Sequence, residues 1–256
     1  MTGPFWYEFP VTYLDFETSG IDADSFIVSC CLGDLARDEF DEDPAPRVWL
    51  AKPPTGRAIP ESATAVHGIS TEQAQREGMD YGRVVAEIVD AVNTAVRAGR
   101  AIVAYNLAFD WSLLTREAHR LGLTLEAPAL FLDPFVIDKG VDRYRRGKRT
   151  LVAACDVFGV TMRGDAHDAC ADAVAAGELA RRMADLVASS GPDSAATAEL
   201  KYLNGLDASG MVAWQQAERG RQMDGLRDYF DRSGIQHDGC DGGWPVLDAV
   251  RERVAA

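Results

Sequence analysis

The chain has 256 residues, of which 47% are hydrophobic and 26% are charged, so its composition is that of a folded globular protein and not of a disordered or fibrous one. The net charge of −14, from 40 acidic and 26 basic residues, argues against a protein that coats nucleic acid, because that role needs many Lys and Arg. The same charge does not exclude an enzyme that holds metal ions on carboxylates.

Several features bear on where the protein works. No segment approaches the roughly 18 apolar residues of a membrane span, and Met1–Pro10 has no basic region followed by an apolar run, as a signal peptide would. The cysteines are odd in number and form no C-x-x-C pair, so we expect reduced thiols. They are Cys30, Cys31, Cys155, Cys170 and Cys240. The sequence therefore predicts a cytoplasmic protein that does not bind a membrane.

Hydrophobic periodicity predicts five strands and a set of helices. The predicted strands are Val11–Phe16, Ser25–Leu32, Arg47–Leu50, Ala101–Tyr105 and Leu130–Asp133. The predicted helices are Tyr81–Ala98, a helix capped by Asn106 and ending near Leu121, a helix that starts at Pro134, Thr150–Phe158, Asp168–Val187 and a stretch around Met211–Arg232. Three strands followed by alternating helices and strands predict an α/β layer on a mixed sheet.

A change in composition predicts how the chain is divided. Ser189–Thr197 is rich in Ser, Ala, Gly and Pro, which is typical of a linker. We therefore expect one domain over residues 1–188, and a linker with a helical C-terminal extension over residues 189–256. The large apolar side chains of the extension either bind a partner or pack back on the core. They are Trp214, Leu226, Tyr229 and Phe230.

The first predicted strand carries an acidic pair. Asp15 and Glu17 are two positions apart, so their carboxylates point to the same face of the strand. Two neighbouring like charges are costly unless a cation neutralises them, and oxygen-only ligands suit Mg²⁺ or Mn²⁺. The pair therefore indicates either a divalent-metal site or a solvent-facing acidic pair on an edge strand.

A second acidic position follows the fourth predicted strand. Asp110 ends the segment YNLAFD that begins at Tyr105, so it lies in the first turn of the next helix. Ligand sites in α/β sheets gather at this carboxyl end of the strands. The alternative is a carboxylate that only interacts with the helix dipole.

A third cluster opens the helix that begins near residue 168. Five residues on a helix turn through about 500°, so His167 and Asp172 share a face only if His167 lies on the preceding loop. Gly164 and Asp165 favour such a loop. Asp168 competes with Asp172, because residues four apart share a helix face, although a helix cap is its ordinary role.

Taken in order, these segments resemble a known family. Asp-x-Glu on the first strand, Asn-x-x-Phe-Asp after a later strand and His-x-x-x-x-Asp at a late helix resemble the three motifs of the DEDDh (DnaQ-like) 3′–5′ exonucleases. A His-Gly-Ile within Thr64–Ile69 is similar to one in proofreading-type members. The resemblance covers roughly Val11–Leu186 and implies a ribonuclease H-like mixed five-stranded sheet flanked by helices.

The resemblance also implies a role for each acidic position. Asp15 would bridge two divalent ions, either Mg²⁺ or Mn²⁺, and Glu17 and Asp172 would complete the shell of the tighter one. Asp110 would hold the second ion, and His167 would be the general base, since an imidazole titrates near working pH. The implied reaction releases nucleoside 5′-monophosphates from DNA 3′ ends by two-metal-ion hydrolysis.

The substrate would be held by other residues. The resemblance implies that Thr18, the loop of His67, Gly68 and Ile69, and also Asn106 contact a terminal nucleotide. Alternatively, Thr18 is only a hydroxyl at the end of a strand, and the loop from His67 to Ile69 is an ordinary turn.

A basic window adds further candidates. It contains Arg143, Arg145, Arg146, Lys148 and Arg149, of which the last four are the candidates, and it indicates either a solvated face or a contact with the phosphate backbone. Asp133, at the end of the fifth strand, is not expected to be a metal ligand itself.

Three other functions stay open. An RNA- or oligonucleotide-trimming exonuclease of the same family is one, because nothing in the sequence reads the 2′-hydroxyl. A non-catalytic nucleic-acid- or polymerase-binding module is another, and it is disfavoured because all five catalytic positions are filled. The third is a proofreading subunit whose extension binds a DNA polymerase or a repair protein. For the exonuclease itself the expected partner is nucleic acid, with the 3′ end of single-stranded DNA favoured.

Overall fold

The computed structural model of the protein describes residues 4–35, 43–162, 169–237 and 240–255. Within these ranges the strands are β1 (Val11–Thr18), β2 (Ile27–Asp34), β3 (Arg47–Leu50), β4 (Ala101–Val103) and β5 (Phe131–Leu132). The helices are α1 (Glu61–His67), α2 (Thr71–Glu77), α3 (Tyr81–Arg97), α4 (Leu107–Arg120), α5 (Pro134–Val141), α6 (Leu151–Phe158), α7 (Ala169–Ala188), α8 (Ala198–Asn204), α9 (Ala208–Ser233) and α10 (Asp248–Ala255).

The strands form one mixed sheet in the order β3-β2-β1-β4-β5. β1 pairs antiparallel with β2, and β2 with β3, as expected for strands joined by hairpins. β4 and β5 run parallel to β1, and helices make the crossovers between them. The predicted α/β architecture is confirmed, and β1 is the central strand.

The two faces of β1 are covered by different helices. Leu14 and Phe16 belong to one apolar cluster, together with the valine-rich face of α3 and with α4. Tyr13 points to the opposite side. There α7 lies so close that a Cβ added to Gly177 would be 2.8 Å from the Tyr13 ring. This glycine allows α7 to pack directly on the central strand.

A disulfide joins the same two layers. Cys31 of β2 is bonded to Cys170 of α7, with the two Cα atoms 5.0 Å apart. Cys31 is the direct cross-strand partner of Asp15, so the start of α7 lies beside the carboxyl half of β1. The prediction that all the cysteines are reduced thiols is wrong for this pair. It failed because 139 residues separate the two cysteines, and only packing of α7 on the sheet brings them together.

The element predictions were most accurate where apolar periodicity is strong. α3 begins where Asp80 accepts a hydrogen bond from the Arg83 amide at 3.0 Å, and it buries Val84, Ile88 and Val92, as predicted. The short helices α1, α2, α8 and α10 were not predicted. α2 is held by its Ser70 cap, a local signal within a stretch that has little apolar periodicity.

The C-terminal extension packs on the sheet layer. Met211 and Trp214 join the cluster around Tyr13, and Trp244 joins the cluster on the other face. The N-terminal segment binds the extension as well, since the Trp6 indole donates to the Leu203 carbonyl at 2.9 Å. The division of the chain at residue 189 stays a prediction. No helix within the described ranges is long and apolar enough to cross a membrane.

Candidate active site

Asp15 and Glu17 lie on the face of β1 that α7 covers. Glu17 is 9% exposed, and Asp15 is partly exposed. The alternative of an acidic pair on an edge strand is wrong, because β1 has a strand on each side. They lie at the centre of the sheet, near its carboxyl edge, where burying negative charge is costly.

Asp110 enters the same region from α4. Its side chain is only 4% exposed, and its carboxylate accepts a hydrogen bond from the Phe16 amide of β1. β1 pairs with β4 only as far as Tyr13, so Asp110 takes over a backbone donor that the sheet has left unpaired. Burial raises the pKa of Asp110 to about 8, with further contributions from Asp133 and Glu17.

Asp172 of α7 completes a group of four carboxylates. The pKa of Asp15 is raised well above its usual value by burial first, and then by the charges of Asp110, Glu17 and Asp172. Three separate elements therefore direct negative charge at Asp15. His167 and Asp168 lie outside the described residues, so the competition between Asp168 and Asp172 is still open.

The donor chemistry of this group fits a hard divalent cation. All four side chains offer carboxylate oxygens, which Mg²⁺ and Mn²⁺ prefer. Within the described ranges, however, no three His, Cys, Asp or Glu side chains are arranged to hold a metal ion as they stand. Coordination at Asp15 would therefore require the carboxylates to rotate towards a shared point.

The predicted nucleotide-contacting residues meet at the end of β1. His67 ends α1, and its Nδ1 accepts a hydrogen bond from the Ile69 amide at 3.1 Å across Gly68, which has a φ of 78°. The Thr18 carbonyl lies close enough to oppose the effect of burial, which lowers the pKa of His67. The Thr18 hydroxyl itself donates to the Gly20 carbonyl at 2.7 Å.

Asn106 differs from its prediction. It stands at the N-cap position of α4, but its side chain makes no capping hydrogen bond, and its backbone is left-handed, with φ of 63°. Its amide N–H donates to Asp133 Oδ1 at 2.9 Å, and its side-chain oxygen accepts from Arg219 of α9 at 3.3 Å. Asp133 is fully buried, and its Oδ1 accepts hydrogen bonds from the Asn106 and Phe135 amides, which is consistent with a supporting position.

The four candidate residues of the basic window form two pairs that differ in exposure. Arg145 and Arg149 turn inward and form ion pairs with Asp138, whose side chain is completely buried. Arg146 and Lys148 are exposed. The charge run did not reveal this split, because a loop without regular periodicity gives no signal of which side chains face inward. Contact with a phosphate backbone stays a prediction for this window.

We expect the two pairs to respond differently to substitution. A double Arg146→Ala, Lys148→Ala variant should raise KM and flatten the salt dependence of KM by about 0.7 per lost phosphate contact on a single strand, with stability unchanged. Arg145→Met should instead destabilise the fold by about 3 kcal/mol, because it removes one partner of a buried charge. Salt-dependent kinetics and urea unfolding measure the two effects. A salt slope equal to that of the wild type would identify the exposed pair as ordinary solvated surface.

Comparison with known proteins identifies the family of the chain. The model of the RNase_T exonuclease family matches residues 12–180, which is well over half of the chain. The chain belongs to the RNase_T exonuclease family. An uncharacterized exonuclease, CP81 of Escherichia phage 186, is 29% identical to this chain over 177 residues, covering 65% of this chain and 84% of the phage protein.

Solved structures show the same fold. Exonuclease I of E. coli bound to a dT13 oligonucleotide superposes with a TM-score of 0.56 at 18% identity, over 67% of this protein and 40% of that chain. Exonuclease I of Methylocaldum szegediense gives a TM-score of 0.54 at 18% identity, over 72% and 41% of the two chains. The match therefore spans about two-fifths of these larger enzymes.

Arg219 and Gln215, which contact Asn106 and Asp133, were not predicted from the sequence. Arg219 lies on α9, beyond the residues that the family model matches. It is separated from Asn106 by 113 positions, so no local pattern connects the two.

Proposed function

We propose that this exonuclease shortens DNA from its 3′ end, with single-stranded DNA as the preferred substrate and nucleoside 5′-monophosphates as products. The observation that carries the proposal is the approach of four carboxylates, from β1, α4 and α7. Burial first, and then the charges of Asp110, Glu17 and Asp172, raise the pKa of Asp15. Repulsion of this kind is relieved by a divalent cation. Complexes of E. coli Exonuclease I with dT13 and dA16 oligonucleotides, on the same fold, support a single-stranded DNA substrate.

Asp15, Glu17, Asp110 and Asp172 would hold two Mg²⁺ or Mn²⁺ ions. When bound, such ions stabilise the attacking and leaving oxygens of a phosphodiester displacement. Asp110 would keep its bond to the Phe16 amide, which fixes the carboxylate on the central strand. His167 would take the proton of the attacking water, as a general base that titrates near neutral pH.

The remaining residues would orient the strand. Thr18 and the loop from His67 to Ile69 lie together at the end of β1, next to Glu17, and this proximity supports a shared contact with a terminal nucleotide. Burial lowers the pKa of His67, which favours the neutral ring and suits a contact with a base or a sugar more than an ion pair with phosphate. A DNA polymerase or a repair protein as a partner stays a prediction.

Digestion of end-labelled strands tests the proposal. With Mg²⁺ or Mn²⁺ present, a 5′-labelled single strand should shorten into a descending ladder, because removal from the 3′ end keeps the label on the remaining oligonucleotide. Digestion from the 5′ end would instead release a labelled mononucleotide at once. Chelation by EDTA should stop the reaction.

Parallel substrates separate the alternatives. Duplex DNA and an RNA of the same sequence should be degraded more slowly than single-stranded DNA, and faster loss of the RNA would favour the RNA-trimming function. A substrate that stays at full length with both metals supplied would contradict the catalytic proposal and favour a binding module.

A further inference from the structure

The turn that begins α4 is conformationally unusual. Among the described residues, Asn106 is the one non-glycine residue with positive φ, at 63°. Side chains disfavour this left-handed region, although Asn tolerates it better than most residues, so the surrounding contacts must hold it. Asp110 lies one turn further along the same helix, and the Phe109 amide donates to the Asn106 carbonyl at 3.0 Å. The conformation of Asn106 therefore sets where α4 starts.

Two contacts hold Asn106 from opposite ends of the residue. Asp133, at the end of β5, accepts its backbone N–H at 2.9 Å. Arg219 of α9 donates from Nη1 to its side-chain oxygen at 3.3 Å. Because a guanidinium carries only donors, the amide atom that faces Arg219 must be Oδ1, and the NH₂ group remains as the donor for another acceptor.

Arg219 is itself fixed in place. Its side chain is only 8% exposed, and the charge of Asp133 is its main electrostatic partner. One turn earlier on α9, Gln215 accepts from the Asp133 amide and donates to the Phe131 carbonyl, both at 2.8 Å. α9 also packs tightly on α5, since a Cβ added to Gly140 would lie 2.4 Å from the Trp214 ring.

We propose that Arg219 is a positioning residue of the exonuclease site, supplied by the C-terminal extension. It orients the Asn106 amide so that its NH₂ group donates to a sugar or phosphate oxygen of the substrate strand, and it stabilises the left-handed turn from which α4 carries Asp110. The role in substrate binding rests on the proposed exonuclease function, whereas the stabilisation of the turn does not. The extension is then a part of the site that the family model, which ends at residue 180, does not include.

Two substitutions of Arg219 and one control test this role. Arg219→Met keeps the apolar stem but removes the donors, and it should raise KM for a 5′-labelled single strand about tenfold, with a smaller loss of kcat. Arg219→Lys retains the charge and should recover part of that loss. Arg227→Met, on the same helix but with a side chain that is 46% exposed and paired with Asp224, should leave KM unchanged.

A double-substitution cycle separates positioning from simple loss of packing. Glycine adopts a φ of 63° without strain, so Asn106→Gly keeps the turn but removes the amide. In that background Arg219→Met should raise KM no further, because its target is gone. KM effects that add fully in the double variant would show that Arg219 acts by holding α9, and would overturn the positioning role.

Hydrogen exchange gives a readout that does not need activity. In Arg219→Met, the peptide over residues 104–112 should exchange faster, while the peptide over residues 84–92 in α3 should not change. Unchanged exchange together with unchanged KM would overturn the positioning role. A wild-type protein that degrades no strand, with faster exchange at residues 104–112 in the variant, would overturn the exonuclease proposal and support the turn-stabilising role.

Discussion

Asp15→Asn should abolish turnover and, at the same time, stabilise the metal-free protein. Asp15 receives the charges of Glu17, Asp110 and Asp172, and its pKa is raised well above the ordinary value, chiefly by burial. Asparagine removes one of the repelling charges and a ligand of both proposed ions. We expect kcat to fall by more than about 10³-fold, since the site stabilises charge that develops during displacement.

The stability gain should depend on pH in a defined direction. A carboxyl group with a raised folded pKa binds its proton more tightly in the folded than in the unfolded chain, so stability falls as pH rises past the unfolded pKa of about 3.9. At pH 7 Asp15→Asn should therefore be more stable than the wild type, by on the order of 1 kcal/mol after discounting for the partial exposure of Asp15. The gain should vanish below about pH 3.5, where both side chains are neutral.

Urea unfolding without divalent ions, at several pH values, measures this gain. Asp90→Asn on the exposed side of α3 is the matched control and should change neither stability nor rate. Full activity in Asp15→Asn would show that catalysis does not require this group of carboxylates. A dead Asp168→Asn beside an active Asp172→Asn would instead show that the third motif is shifted by one helical turn.

His167→Ala should lose about 10²- to 10⁴-fold in kcat and still bind metal. Its role is a prediction from the motif, because residue 167 lies outside the described part of the chain. The carboxylates supply the charge that attracts cations, and a neutral imidazole adds none. The loss should appear in kcat, since proton transfer occurs only on the way to the transition state.

Calorimetry with Mn²⁺ and kcat measured across pH check this result. The acid limb of the wild-type pH profile should disappear or move in the variant, because that limb reports protonation of the base. His119→Ala, at an exposed position of α4, provides the control. Turnover at the wild-type rate would show that His167 is not the general base. The protein would then belong to a different branch of the superfamily.

Much of the fold and of the acidic site was predictable, for identifiable physical reasons. Alternation along β1 placed Asp15 and Glu17 on one face, and the rule that ligands gather at the carboxyl ends of parallel strands brought Asp110 to the same edge. These signals are local or topological. The convergence of Asp15, Glu17 and Asp110 follows from them once the strand order is known, whereas Asp172 is brought in by the packing of α7 on the sheet.

The contacts that were missed are set by tertiary packing. Cys31 meets Cys170, and Arg219 meets Asn106, across more than 100 residues of chain. Likewise, a run of basic residues does not show that Arg145 turns towards the buried Asp138, because nothing local marks that carboxylate as buried. Short helices such as α10 depend on contacts with residues outside the helix. Asp241, in the preceding loop, accepts the Asp248 and Ala249 amides at the start of α10.

Gln215 has a consequence for how the sheet ends. β5 is an edge strand, and such an edge presents backbone donors and acceptors that can recruit a strand from another molecule. The carbonyl of Phe131 and the amide of Asp133 are two positions apart and point outward together, and the side-chain amide of Gln215 binds both. A single glutamine thus makes the two hydrogen bonds that a neighbouring strand would make. At this position α9 takes the place of a sixth strand, and it blocks self-association by strand addition.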